Sequence, residues 1–266
     1  MTSLLAYGRD HALRQIDNTL ATVGDSFPFY TEGNTWLITE DGGWTGGMWV
    51  GQLWMAYEWT GDQRYRDAAL DLLPMLEARI DRPDADFDLG FLLMPSFVRG
   101  YQLVGDDRLR QVALRGASRM LDFFHEEAGL IHAVYPHRAA RYDRPIGSAI
   151  VDIMMNLSLL WWAYKERGDP RFYNVAHQHT EHTANFHVRR DGSTFHVVDF
   201  DLETAEILHS GTIHGHSDES TWARGQAWAL YGFAMAYLAT QDLTFYEISE
   251  SLSDYFFNLF LQPAAC

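Results

Sequence analysis

Tyr57-Glu-Trp-Thr-Gly61-Asp62-Gln-Arg64-Tyr65 recurs as Tyr101-Gln-Leu-Val-Gly105-Asp106-Asp-Arg108-Leu109 and as Tyr164-Lys-Glu-Arg-Gly168-Asp169-Pro-Arg171-Phe172. A weaker fourth copy is Tyr237-Leu-Ala-Thr-Gln241-Asp242-Leu-Thr-Phe245. Each copy reads as a helix end followed at once by a helix start. Gly supplies the left-handed residue that closes the first helix, and Asp caps the free N–H groups of the second. Apolar residues at helical spacing follow, as in Tyr65, Ala68, Ala69, Leu72 and Leu73. The chain is therefore predicted to be a series of helix pairs, hence all-α. Helix pairs can stack into an open superhelix or close into a toroid. The intervals between copies, 44, 63 and 73 residues, are too irregular for a regular solenoid and favour the toroid. Gly192–Phe200 and Glu206–Ile213 break the helical pattern and read as a small β-hairpin insertion.

Counting back from each repeat tyrosine leads to one position on the first helix of each pair. Thirteen residues before Tyr57, Tyr101 and Tyr237 stand Trp44, Asp88 and Arg224, and twelve before Tyr164 stands Asp152. Side chains at equivalent helix starts are expected to converge at one end of a toroid. A lone Asp at a helix start usually does no more than cap it. Asp88 and Asp152, however, lead into strongly apolar runs, Leu89–Met94 and Ile153–Trp162, whose helices are expected to be buried. Two carboxylates in a cleft can divide acid and base work between them.

The 266 residues suit one large domain, 1–266. Nine Trp, 13 Tyr and 16 Phe suffice for a core and for a sugar-sized cleft. A net charge of −16 argues against nucleic acid and anionic membranes as partners. The sole cysteine, Cys266, cannot pair within the chain. No apolar run reads as a signal peptide or a membrane span, so a soluble cytoplasmic protein is expected. His177, His179, His182 and His187, with Glu181, lack metal-ligand spacing and are expected to be surface or rim histidines, with no metal bound. No cofactor is expected.

Several segments resemble the unsaturated glucuronyl hydrolases, glycoside hydrolase family 88. They are Gly43-Trp44-Thr45-Gly46-Gly47-Met48-Trp49, Asp88-Leu-Gly-Phe91, Val151-Asp152-Ile-Met-Met-Asn156, Arg190-Asp-Gly-Ser193 with His196, and Asp218-Glu-Ser220-Thr-Trp222-Ala-Arg224-Gly-Gln226-Ala-Trp228. The resemblance implies an (α/α)6 barrel, here C-terminally truncated relative to the family. Association of copies could complete it. It also implies a substrate, an oligosaccharide whose non-reducing uronic acid carries a C4=C5 double bond. By the same resemblance Asp152 donates a proton and activates water, and Asp88 orients or stabilises. Arg224 binds the uronate carboxylate, Trp44 and Trp228 stack on sugar faces, and His196 contacts substrate or water. Phe87, His214 and Met48 stand where the family places His, Gln and commonly an aromatic, and are expected to alter the sugar subsites. An unsaturated rhamnogalacturonyl hydrolase is the alternative within the enzyme class. A catalytically inactive carbohydrate-binding protein of the same fold is the alternative outside it.

Overall fold

The computed structural model describes residues 4–133 and 144–261; Cys266 lies outside the described residues. The chain divides into two compact units, Met1–Ala85 with Phe91–Gly116, and Asp86–Gly90 with Ala117–Cys266.

The first unit opens with α1 (Leu4–Val23) and an antiparallel hairpin, β1 (Phe27–Glu32) with β2 (Thr35–Thr39). α2 (Gly46–Thr60) and α3 (Gln63–Glu77) form the first pair. The next first helix is interrupted: α4 (Leu89–Leu93), whose first two residues are counted with the second unit, widens into a π-helical segment, Met94–Val98, before α5 (Arg99–Val104). Pro95 lacks the amide hydrogen that an α-helical ladder would use there, and a π-bulge absorbs the missing bond. α6 (Asp107–Leu121) completes that pair. The core of this unit is built on Phe27, Trp54, Leu72, Leu76 and Phe97, all buried.

In the second unit, β3 (Phe124–His125) pairs with β4 (Leu130–Ile131). β5 (Ala149–Ile150) joins β6 (Val197–Phe200) and β7 (Ile207–Gly211) in an antiparallel sheet of order β5-β6-β7. The expected hairpin is thus present with a third strand along its edge. Helices α7 (Ile153–Asn156), α8 (Ser158–Arg167) and α9 (Pro170–Phe186) follow β5, and α10 (Ala223–Thr240) with α11 (Leu243–Leu261) closes the described chain. Phe233 of α10 meets Phe245 of α11 at 6.2 Å between ring centroids. Among the described residues no helix is long and apolar enough to cross a membrane.

The repeat behaves as its chemistry demands. Gly61, Gly105 and Gly168 hold φ of 71°, 70° and 67°, and each amide donates to the repeat tyrosine's carbonyl at 2.7–2.8 Å. Asp62, Asp106, Asp169 and Asp242 each accept the amide two residues on, at 2.8–3.0 Å. Gln241 takes the left-handed position in the fourth copy, with φ 61°. A Cβ there crowds the following carbonyl, and the exposed side-chain bonds to Tyr237 and Leu238 return little. Gln241→Gly is therefore expected to stabilise the protein by about 0.5–1 kcal/mol, read as a higher urea midpoint at unchanged slope.

The structure corrects the expectation of rim histidines. His179 and His187 are fully buried and His182 is nearly so. The reason is the sheet on that side of α9: His182 packs against Phe186 and Phe200 at 4.7 and 4.5 Å, and the Ile131 amide donates to His179 Nδ1 at 3.0 Å. His187 Nε2 donates to the Ala149 carbonyl at 3.2 Å. Burial, reinforced by neighbouring imidazoles, holds His179 well below the ordinary value, His182 at about 3 and His187 at about 4. All three are neutral in the folded protein, whereas an unfolded histidine takes up a proton below pH about 6.5. Their stabilising contribution is complete above that pH and is lost as the pH falls toward 4 and then 3. Each costs about 1.4 kcal/mol per pH unit on the acid side. The urea midpoint is expected to fall steeply between pH 6.5 and pH 5; a flat profile over that range would refute the buried cluster.

Candidate active site

Asp88 and Asp152 stand at corresponding places, each immediately before a short buried helix. Asp88 precedes α4, and its amide donates to Asp86 Oδ1 at 2.9 Å, which fixes the turn. Asp152 is the N-terminal cap residue of α7, although its side chain makes no capping bond. Its carboxylate is left for other work. Both residues are half-buried.

The two helix starts meet through bare backbone. A Cβ on Gly90, two residues after Asp88, would lie 2.4 Å from both Cα and O of Asn156. Only glycine permits that approach. Asn156 is completely buried, and its Nδ2 donates to the Asp152 carbonyl at 3.2 Å. The contact that joins the two segments thus leads directly to the backbone of Asp152.

The β5–β6 ladder brings a third group. The Val151 amide donates to the His196 carbonyl at 3.0 Å, carrying the pairing one step beyond the strands. His196 Nε2 therefore faces Asp152 Oδ2 at 3.4 Å. Both atoms are buried, and among the described residues neither completes a hydrogen bond. His196 Nδ1 accepts from the amides of Ile213 and His214 at 3.1 and 3.4 Å, and lies 3.4 Å from Thr212 Oγ1. An amide nitrogen can only donate, so Nδ1 carries the lone pair and the proton sits on Nε2. His196 is thus a neutral imidazole that presents an N–H to the Asp152 carboxylate.

An aromatic layer surrounds this pair. The Trp222 ring lies 4.4 Å from His196 and 5.0 Å from His214, whose ring stacks on His196 at 5.2 Å. The guanidinium of Arg224, an exposed residue, sits 4.4 Å over the Trp222 ring. Desolvation holds His214 below its ordinary value, helped by His196 and Arg224 and opposed by Asp152.

The remaining expected site residues divide. Phe87 is buried, at 2 % exposure, and Trp228 is half-buried on α10. Trp44 and Met48 belong to the first unit, where Trp44 packs against Phe91 at 5.4 Å. Trp222 was within the quoted motif but carried no assignment; its spacing of two residues from Arg224 was the available signal. Gln226 from the same motif is buried scaffolding. It accepts from Thr194 Oγ1 at 3.0 Å and donates to the carbonyls of Gly192 and Leu252 at 2.7 and 3.2 Å. Arg189, stacked at 4.0 Å on Phe195, donates to the carbonyls of Asp218 and Ser220 at 3.2 and 3.4 Å and so ties down the segment before Trp222. Among the described residues no group of His, Cys, Asp and Glu has the arrangement to hold a metal ion.

Glycosyl Hydrolase Family 88 matches residues 21–260. The unsaturated chondroitin disaccharide hydrolase of Streptococcus pneumoniae (strain ATCC BAA-255 / R6) is 33% identical over 252 residues, covering 94% of this chain and 63% of its own length. The crystal structure of the unsaturated glucuronyl hydrolase from Bacillus sp. GL1 superposes with a TM-score of 0.87 at 34% identity, covering 93% of this chain and 66% of that one. A mutant unsaturated glucuronyl hydrolase from Streptococcus agalactiae, crystallised with dGlcA-GalNAc6S, gives a TM-score of 0.78 at 30% identity, covering 97% and 63%. The chain spans 63–66% of the length of these relatives. The similarity assigns the fold to the all-α, α/α-barrel class.

Proposed function

The chain belongs to Glycosyl Hydrolase Family 88, and from that premise we propose that it hydrates the C4=C5 double bond of an unsaturated uronic acid at the non-reducing end of a lyase-derived oligosaccharide. Asp152 protonates C4, which leaves a cation at C5 stabilised by the ring oxygen. Water adds at C5 and gives its proton to the Asp152 carboxylate. The resulting hemiketal opens and expels the remaining sugar. An enol ether suits this route because protonation yields an oxygen-stabilised cation that a nearby carboxylate can stabilise further. Asp88 supplies that second carboxylate. Arg224 offers a cation to the uronate carboxylate, and the half-buried Trp228 ring suits stacking on a sugar.

The observation that carries the reading is the Gly90–Asn156 backbone contact, which draws the starts of two helices, each led by an aspartate, into one compact unit. The name of the Streptococcus pneumoniae relative and the ligand of the Streptococcus agalactiae structure support an unsaturated disaccharide as substrate.

A panel of unsaturated glucuronyl and rhamnogalacturonyl disaccharides tests it. Loss of the ultraviolet absorbance of the C4=C5 bond, with release of the second sugar, is the expected result for the glucuronyl members. Turnover of the rhamnogalacturonyl members alone would reassign the substrate. Calorimetric binding of the whole panel with unchanged absorbance would make the chain a carbohydrate-binding protein.

A further inference from the structure

The loop Thr212–Ser220 contributes no acid or base to the proposed reaction, yet two of its amides determine where the proton of His196 sits. What holds that loop is a chain of side chains with one hydrogen-bond polarity throughout. Arg144 Nη1 donates to buried Asp199 Oδ2 at 2.8 Å and lies 2.9 Å from His209 Nδ1. Arg144 Nη2 donates to the Thr212 carbonyl at 3.1 Å. A guanidinium only donates, so His209 Nδ1 is the acceptor and its proton resides on Nε2. That N–H donates to Asp218 Oδ2 at 3.1 Å, while Asp218 Oδ1 accepts the Thr212 amide at 3.0 Å. The approach of Asp218 requires glycine at 211, where a Cβ would stand 2.2 Å from Oδ1. Thr212 Oγ1 then accepts the Gly215 amide at 2.7 Å, which closes the turn around Ile213 and His214.

We infer that Asp218 is a positioning residue of the site: by holding the Thr212 amide and His209 together, it keeps the Ile213 and His214 amides on His196 Nδ1 and so fixes the His196 proton on Nε2, facing Asp152. The inference rests on the proposed role of Asp152 for its effect on turnover, but not for its effect on the imidazole. Only a carboxylate fits between two donors. An amide at 218 would turn one N–H against either His209 or Thr212, whichever way it is oriented. The ionised form is also the one the surroundings favour: the Thr212 amide foremost, then His209 and Arg144, holds the Asp218 carboxyl below its ordinary value.

The test compares Asp218→Asn, His209→Gln and His209→Leu with the unaltered chain. Long-range ¹H–¹⁵N spectra of the substrate-free protein report the His196 tautomer directly. The parent chain is expected to show a single Nε2-protonated ring, and Asp218→Asn a mixture with the Nδ1-protonated form. With an unsaturated disaccharide, Asp218→Asn is expected to lose roughly tenfold in kcat, the scale of an outer-shell orienting group, with KM within about twofold. His209→Gln keeps an acceptor for Arg144 and a donor for Asp218, so it is expected to retain the tautomer; His209→Leu keeps neither and is expected to follow Asp218→Asn. This pair decides the matter if Asp218→Asn fails to fold. An unchanged tautomer in both Asp218→Asn and His209→Leu, or identical behaviour of the two His209 variants, overturns the inference. If no unsaturated disaccharide is turned over by the parent chain, the proposed function fails, and the tautomer spectra still decide this one.

Discussion

Asp152→Asn is expected to reduce turnover of an unsaturated disaccharide by roughly 10³-fold, within the range that general acid–base groups contribute, while leaving the protein folded. The substitution changes almost no volume. It removes the proton that C4 needs and the base that water at C5 needs, so both halves of the proposed reaction are lost together. Its structural cost is small because the Asp152 side chain makes no capping bond, and Oδ2 meets His196 at 3.4 Å without completing a hydrogen bond. An Asn oxygen can face the same Nε2–H. Such long contacts in a substrate-free site commonly shorten only when the reacting group arrives. KM is expected to stay within about threefold, since an interaction made only in the transition state lowers kcat and kcat/KM together. Turnover within tenfold of the parent chain, in a variant with an unchanged circular dichroism spectrum, would remove Asp152 from the mechanism.

The parts of this architecture that were legible in the sequence are those determined by a few neighbouring residues. A Gly-Asp step carries both a left-handed closure and a cap, so three such steps and the Gln241-Asp242 variant announced the helix pairs before any tertiary contact was known. The same local logic placed Asp88, Asp152 and Arg224 at helix starts, because each lies twelve or thirteen residues before a repeat tyrosine. What escaped depends on partners remote in sequence. His182 looks solvent-compatible on its own helix and is buried because Phe200, from β6, lies on that face. No neighbour in sequence signals that the Val151–His196 backbone bond aims the His196 ring at a carboxylate 44 residues earlier in the chain. The β1–β2 hairpin went unread although Gly33-Asn34, set between the short apolar runs Phe27–Tyr30 and Trp36–Ile38, was there to suggest it. Attention to helical periodicity hides short strands, whose period of two yields few matches over five or six residues.

Gly90→Ala is expected to be the most damaging small substitution in the second unit. Alanine is the better helix former, so on propensity alone α4 would gain roughly 1 kcal/mol. The contact reverses the sign. The new methyl would lie 2.4 Å from Cα and O of Asn156 and 2.7 Å from its Cβ, and two of those three atoms are backbone that cannot turn aside. Relief requires α4 and α7 to separate. Asn156 is completely buried and bonded through Nδ2 to the Asp152 carbonyl, so the displacement is passed to the residue proposed to move the proton. Overpacking of this kind costs about 3 kcal/mol or more where the backbone must shift, which is a large fraction of a typical domain's stability. The molecules that remain folded should lose about 10²-fold in kcat, because a shift near 1 Å between reacting groups has that effect. The check is a urea titration paired with turnover measured well below the unfolding midpoint. Gln241→Gly, opposite in direction and distant from the chemistry, serves as the control for generic effects of exchanging glycine. A Gly90→Ala protein with parental midpoint and parental kcat would mean that Gly90 and Asn156 do not meet as described, and the proposed pairing of Asp88 with Asp152 would lose its structural basis.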